Sequence, residues 1–533
     1  MRKTTLPFDK VPYLSNRDKA YISEHESLTP FYKYSVSFKA FEQIIKDKQG
    51  EQIDRETLYS VLSEQYAKEE TSHLVKTNIS LLKQPNTFTI VTGHQPVLAT
   101  GPLYFIYKIV STIKLAAQLN ELYPSYRFVP VYWMGAEDHD FEEINHFRIF
   151  GKQLVWENDE NGAVGEMSTE RIGAVVDELK TILGNTKPAQ STLKLVKQAY
   201  LKKPTLAEAT FNIVNQLFKQ WGLIVLNPSH KDLKQLFSRI MIREIKEQPS
   251  QKLITNTLEK LEVAGYKAQA NPREINLFYA RKGLRERIVK EDMLYKVLNT
   301  DLQFTERELI AEVEEHPDRF SPNVALRPLY QELILPNLAY IGGGGEIAYW
   351  LERKSQFEYF GINFPMLVRR SSVLWIDSGT YQKMLQLGLD ELSIFDAFDQ
   401  LAKAFVTLNA SASLNLDSEK AELESLFEVI AQKVKAIEPT LEPSVLAEKT
   451  KAAKGISNLE NRIIKAEKRK HDQTINQIKK LKEKLFPGGG LQERKDNFLE
   501  YHYRYGDHFI ETLVKTLNPL EKAFIVLIEE TIG

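Results

Sequence analysis

The sequence predicts an α/β protein: a doubly wound parallel core with connecting insertions, and a long antiparallel α-helical coiled-coil arm. Three observations predict it. Two strand-like runs, Phe88-Thr-Ile-Val-Thr92 and Phe128-Val-Pro-Val-Tyr-Trp-Met134, flank a helical pattern of Ile106, Ile109, Val110, Ile113 and Ala117, which implies a β-loop-α-β unit with a parallel pair. Strand and helix patterns then alternate to about residue 380. From about 385 to 487 the pattern is wholly helical, with Leu423, Leu426, Ile430, Val434 and Ile437 at 3,4 spacing.

Residues 1–85 carry helical patterns such as Tyr59-Ser-Val-Leu-Ser-Glu-Gln-Tyr66 and are expected to pack on the core as a helical segment. The core spans 86–380. Within it Trp221-Gly-Leu-Ile-Val-Leu-Asn-Pro228 reads as a buried strand, with a helix over 231–247 after it; Leu338-Ala-Tyr-Ile341 and Phe364-Pro-Met-Leu-Val368 supply two more strands. Residues near 150–205 and near 270–320, the latter with a charged, β-leaning stretch at 281–297, break the alternation and read as insertions. Past Pro439 and Pro443 a second helical run begins with Ile456, Leu459, Ile463 and Ala466. Its seam drifts by one position before Ile478, Leu481 and Leu485, as in a stutter. An antiparallel hairpin results, with one arm over 40 residues long, or roughly 60 Å at the helical rise. Pro487-Gly-Gly-Gly490 ends the arm, and 491–533 is expected to return to the core as helices.

With 533 residues, 43% hydrophobic and 26% charged, the chain has material for two to four globular domains. Seventy basic and 71 acidic residues leave a net charge of −1, which gives no bulk attraction for nucleic acid or a membrane, and neither is expected as a partner. The run 447–485 is locally basic, but an acidic run of Asp417, Glu419, Glu422, Glu424 and Glu428 on the partner helix offers it paired charges instead. The cysteine count is zero, which excludes disulfides, a thiolate nucleophile and Cys-ligated metal; no zinc and no resident metal site are expected. A start without a signal-like apolar run and the absence of any 18-residue apolar stretch lead us to expect a cytoplasmic protein.

Open parallel sheets bind ligands beyond the carboxyl ends of their strands, where two polar loops fall. The first, Gly93-His94-Gln95, precedes a helix expected to start near Thr100-Gly101-Pro102, with Thr100 as cap and free amides that favour a phosphate. His94 there can donate to a phosphate oxygen, or merely satisfy a backbone carbonyl. The second, Glu137-Asp138-His139-Asp140, places ionisable groups that suit a substrate ammonium, magnesium or a proton, or that form an acidic first turn for a helix near Phe141. Gly342-Gly-Gly-Gly345-Glu346, before a helix of Ile347-Ala-Tyr-Trp-Leu351, lets a ligand approach backbone closely; it is neither a P-loop nor the dinucleotide fingerprint. Arg327, Gln331 and Glu332 fall near the same sheet edge. Arg369-Arg370-Ser371-Ser372 can neutralise a polyphosphate or form structural ion pairs.

Thr92-Gly-His-Gln-Pro96, Thr100-Gly-Pro-Leu-Tyr-Phe-Ile-Tyr-Lys108, Trp133-Met-Gly-Ala-Glu-Asp-His-Asp-Phe-Glu-Glu-Ile-Asn-His146, Asn323-Val-Ala-Leu-Arg-Pro328 and the late coiled coil resemble, in order along the chain, the bacillithiol biosynthesis cysteine-adding enzyme family. The resemblance implies a Rossmann-like core with a coiled-coil dimerisation arm, as in class I aminoacyl-tRNA synthetases. It also implies an ATP-dependent ligase that joins the cysteine carboxylate to the amine of glucosaminyl malate. The class I signature shrinks here to Gly93-His94-Gln95 and no Lys-Met-Ser-Lys-Ser loop exists, so Arg369 to Ser372 stands as candidate substitute. The candidate catalytic residues are His94, Asp138, His139 and Asp140, with Asp138 or Asp140 holding an ammonium and His139 taking its proton. The candidate substrate- and nucleotide-binding residues are Thr92, Gly93, Gln95, Gly101, Lys108, Glu137, Asn145, Arg327, Gly343, Gly344, Gly345, Glu346, Arg370 and Ser372. Expected ligands are cysteine, glucosaminyl malate and ATP with Mg2+, and the expected assembly is a homodimer through the coiled coil. Two other readings stay open: a nucleotidyl or phosphoryl transferase on another small amine or acid, and a nucleotide-binding coiled-coil scaffold without catalysis.

Overall fold

The computed structural model describes residues 1–269, 271–409 and 415–530; position 270 of the second insertion, 410–414 and the last three residues of the C-terminal segment lie outside the described residues. The chain divides into two compact units. One comprises 7–373 and 492–525, the other 1–6, 374–491 and 526–533.

The larger unit is built on a five-stranded, all-parallel sheet. Its strands run Met366–Arg369, Asn337–Gly342, Thr87–His94, Arg127–Met134 and Ile224–Leu226 in spatial order. These are the apolar runs of the sequence, buried on both faces as parallel strands require. The chain fills the sheet outward from Thr87–His94 through Arg127–Met134 to Ile224–Leu226, then returns to the other side of its first strand with Asn337–Gly342. The switch point of this Rossmann-like order therefore lies between Thr87–His94 and Asn337–Gly342. The connecting helix Tyr104–Leu122 is buried on most of its surface. Beneath the sheet, Phe41, Ile44 and Ile45 of the helix Phe41–Gln49, at 3,4 spacing, pack against Phe88, Ile90, Leu115 and Leu338.

The expected insertions take definite forms. A hairpin of His146–Ile149 and Lys152–Val155 precedes the helices Gly173–Leu183 and Lys187–Tyr200. The second insertion is an antiparallel sheet with Leu284–Glu291 and Leu277–Arg281 at its centre, extended by Leu294–Val297, Gln303–Thr305 and Phe320–Pro322.

In the smaller unit, the helix Asp417–Ile437 turns at Pro439–Leu441 into Glu442–Lys470. Ion pairs Lys435–Glu442 (3.2 Å), Lys449–Glu424 (2.8 Å) and Lys420–Glu460 (2.8 Å) show the antiparallel register, since one number rises as the other falls. Exposed pairs of this kind stabilise by well under ~1 kcal/mol each. The Glu424 pair matches the acidic run to the basic arm. The seam drift falls beyond a break at His471, where the helix stops before Asp472–Leu485 resumes.

Two expectations need correction. The first segment is not wholly helical, for Arg2–Pro7 is a strand, and the last is not only helices, for Ala523–Ile528 is a strand; both join Val373–Ile376 in a three-stranded sheet. Ala523-Phe-Ile-Val-Leu-Ile528 is a short continuous apolar run, which periodicity alone does not assign to strand or helix. No described helix is long and apolar enough to cross a membrane.

Candidate functional site

A cavity of about 800 Å³ opens at the carboxyl ends of the parallel strands, at the switch point, with the antiparallel insertion sheet as its far wall. Gly93 and Gly343, which follow each other across the switch, both line it.

At the end of the first strand a side chain on Gly93 would press on the Tyr340 hydroxyl (3.3 Å) and Arg327 Nη1 (3.5 Å). The Gly93 carbonyl accepts from Lys108, which also donates to Glu346 Oε1 at 2.8 Å; Lys108 is buried and braces the cavity from behind without lining it. His94 sits against Tyr104 and Phe105, both ring centroids 5.4 Å away, with its Nε2 buried and without a protein partner. Burial first, and the nearby Lys108 and Arg370 cations next, lower its pKa to about 3, so the imidazole is neutral. Gln95 Nε2 donates to Asp138 Oδ2 (2.8 Å) and Glu143 Oε2 (3.1 Å), bridging the two loops. Thr92 lies behind, its hydroxyl donating to the Ile341 carbonyl at 2.8 Å.

Thr100 does not cap the following helix. Ala99, Thr100 and Gly101 all have positive φ and turn the chain sharply; Asn497 Nδ2 donates to the carbonyls of Ala99 (2.8 Å) and Gly101 (2.6 Å). The helix starts at Tyr104, and the Leu103 amide is satisfied by the Asp496 carbonyl at 2.8 Å. Gly101 is thus part of a turn outside the cavity lining, where a Cβ would meet Val97 Cγ1 at 2.7 Å.

On the second wall Glu137 pairs with Lys234 at 2.5 Å, and that lysine, fully buried, also donates to the Phe320 carbonyl of the insertion sheet. Burial would raise the Asp138 carboxyl, but hydrogen bonds from His139 and Gln95 and the Arg285 charge hold it well below the carboxylate range. It is an anion at neutral pH. His139 Nδ1 lies 2.6 Å from Arg285 Nη1. A guanidinium only donates, so Nδ1 is the acceptor and the neutral ring carries its proton on Nε2. Asp138 Oδ1 lies 3.6 Å from the same nitrogen. Asp140 precedes the short helix Phe141–Ile144, and Asn145 ends it with Oδ1 3.0 Å from His146 Nδ1; neither lines the cavity.

The glycine stretch is itself the start of a helix, Gly344–Leu351, one turn earlier than its apolar residues suggest. Glu346 accepts from the Gly343 amide (2.9 Å), the Tyr340 hydroxyl (2.6 Å) and Lys108. A Cβ on Gly344 would fall 2.5 Å from Asp18 Oδ2, whereas Gly345 faces open space. Arg327 donates to Gln331 Oε1 at 2.9 Å and lines the cavity with no carboxylate in salt-bridge contact among the described residues. Of the expected polyphosphate group, Arg369 pairs with Asp18 (3.2 Å) and Ser372 donates to Glu493 (3.1 Å), both behind the lining. Arg370 does line the cavity, but its charge is matched by buried Glu493 at 2.8 Å.

Sequence reasoning passed over Tyr104, Phe278, Arg285 and Arg494, which also line the cavity. The charged, β-leaning stretch at 281–297 carried a signal for Arg285 and the motif Thr100–Lys108 one for Tyr104; nothing local marked Phe278 or Arg494.

Residues 1–371 match the family described as bacillithiol biosynthesis BshC, N-terminal Rossmann-like domain, and residues 373–529 its C-terminal coiled-coil domain. Relatives named "Putative cysteine ligase BshC" include those of Flavobacterium johnsoniae (41% identical, covering 97% of each chain), Flavobacterium psychrophilum (40%, 98% of each) and Cytophaga hutchinsonii (37%, 94% of each). With its parallel core and its coiled coil each matched along nearly their whole length, the chain belongs to the bacillithiol biosynthesis BshC family.

Proposed function

We propose that this protein is an ATP-dependent ligase that forms an amide between the carboxylate of cysteine and the amine of glucosaminyl malate. The observation that carries the reading is a cavity of mixed sign at the switch point: ionised Asp138 on one wall, neutral His94 between, and Arg327, Arg370 and Arg285 around them. A zwitterionic amino acid fits such a site with its ammonium on Asp138 and its carboxylate toward Arg327 and Arg370. The names of the relatives point to the same acid.

A carboxylate does not condense with an amine until it is activated. In the first step the cysteine carboxylate attacks the α-phosphate of ATP, forming an acyl adenylate and releasing pyrophosphate. In the second the amine nitrogen bonds to the acyl carbon, AMP departs with the bonding electrons, and two of the three ammonium protons pass to solvent while one stays on the amide nitrogen. His94 donates to a phosphate oxygen as charge builds there. Magnesium would arrive on the nucleotide phosphates; among the described residues no group of three or more His, Asp or Glu stands placed to hold an ion.

The test is incubation of the full chain with magnesium-ATP, cysteine and glucosaminyl malate, with thiol and nucleotide products followed by mass spectrometry. Amide with AMP is the expected result, and amide with ADP would replace the adenylate by an acyl phosphate. No amide and no nucleotide turnover, with the protein folded, would overturn the reading, as would full activity in both H94A and D138A.

A further inference from the structure

The cavity's cations are not equivalent. Arg370 is neutralised by Glu493, and Lys234, buried behind the lining, by Glu137. Arg285, 8% exposed, has no carboxylate in salt-bridge contact among the described residues. It is nevertheless held with care. Its Nε donates to Ser321 Oγ at 3.1 Å, its guanidinium carbon lies 3.8 Å from the centroid of Phe278, and its Nη1 donates to His139. Ser321 and Phe278 are register partners on adjacent strands, and Arg285 pairs with Ala280 on the next, so three strands fix one guanidinium. Asp138 and Glu137 act on this cation through space, yet neither reaches it as an ion pair, so a ligand anion in direct contact would complete its compensation. Arg287 and Arg273, less buried, line the same wall.

Resting on the ligase reading above, we infer that Arg285 is the specificity residue for the amine substrate: it binds a carboxylate of the malyl group from the insertion sheet, while positioning His139 as an Nε2–H donor beside it. A carboxylate suits this place better than the nucleotide phosphates. Glu137 and Asp138 flank the same wall, and a polyphosphate of several negative charges would meet both, whereas a carboxylate matches one guanidinium fork. The parallel core then handles activation, and the insertion sheet chooses the acceptor.

The test is calorimetry on the full chain and on R285Q and R285K, titrated separately with glucosaminyl malate, L-malate, glucosamine, magnesium-ATP and cysteine. The wild type is expected to bind glucosaminyl malate and L-malate, and to bind glucosamine at least tenfold more weakly than glucosaminyl malate. R285Q should lose at least tenfold in affinity for glucosaminyl malate and L-malate, with magnesium-ATP and cysteine within twofold. R285K keeps the charge without the fork and should lose at least fivefold for the same two ligands, which tests the inference should R285Q not fold. Nitrogen-15 shifts of His139 should place its proton on Nε2 in the wild type and show a tautomer mixture in R285Q. Unchanged malate affinity in either variant, or a loss directed at magnesium-ATP instead, would overturn the inference even if the wild type makes amide. Malate binding that depends on Arg285 in a protein that makes no amide would sink the ligase reading and leave this subsite standing.

Discussion

Gln95 donates to Asp138 at 2.8 Å across the gap between two neighbouring parallel strands, so the loop that carries His94 is tied to the loop that carries the Asp138 carboxylate. Neither residue is adjacent to the other in sequence. The bond also leaves the second Asp138 oxygen held by the His139 amide at 2.7 Å, which orients the carboxylate before any substrate arrives.

Asp138→Asn removes the charge at nearly constant shape and also sets an amide Nδ2 against one of the two donors, Gln95 Nε2 or the His139 amide. A hydrogen bond to a charged partner is worth ~1.5–3 kcal/mol, so kcat/KM for cysteine should fall about tenfold to a hundredfold, with the affinity for magnesium-ATP little changed. Steady-state amide formation at varied cysteine checks it.

His94 should stay neutral well below neutrality. Its folded pKa of about 3 lies under its ordinary 6.5, so between these values the unfolded chain takes up a proton that the folded one refuses. This contribution to stability is therefore complete above pH 6.5 and declines as pH falls toward 3. The stability of wild type relative to H94Q should drop by about 2 kcal/mol between pH 7 and pH 5. Urea unfolding at the two pH values, with imidazole NMR showing no His94 titration above pH 5, provides the measurement.

Glu493→Ala removes the carboxylate from a fully buried pair and leaves Arg370 uncompensated. The expected loss is about 3–5 kcal/mol. The double variant R370A/E493A should lose less than the two single changes added together, which a double-mutant cycle in denaturant resolves.

Gly344→Ala and Gly345→Ala stand side by side on the first turn of one helix and should behave oppositely. A Cβ at 344 would collide with Asp18, which holds Arg369, and overpacking of this kind costs about 1–3 kcal/mol. At 345 it meets open space, and alanine should be neutral or gain up to ~1 kcal/mol in helix propensity. Thermal melts of the two variants decide it.

The parallel sheet was legible because its strands are near-continuous apolar runs between turn residues, and the hairpin because its seam repeats at 3,4 spacing. The insertion sheet was legible only as a β-leaning stretch, since Leu284-Arg-Glu-Arg-Ile-Val-Lys-Glu291 mixes charge with apolar residues and does not announce its pairing. In the site, His94 and Asp138 could be read because one ends a strand and the other sits in the loop just after a strand, both at the cleft. Asp140 looks equivalent in sequence, yet it stands at the start of the helix Phe141–Ile144 and does not line the cavity. Thr92, Lys108 and Ser372 share the right motifs and act from behind the lining. The partners that give the cavity its sign, Arg285, Lys234 and Glu493, come from distant segments, and no local pattern announces a meeting made only by tertiary folding.

Glu493 reaches Arg370 across 123 residues of chain, and Asn497 holds the turn at Ala99 from 398 residues away. The intervening residues 374–491 belong to the other compact unit. During synthesis the ribosome must therefore deliver the whole coiled coil before the segment that closes the cavity emerges. A nascent chain halted anywhere before residue 492 carries Arg370 as a bare cation and the left-handed turn without its clasp. The compensated Arg370 and the clasped turn are thus properties of a chain extended past Asn497, and a product that stops short of it does not inherit them.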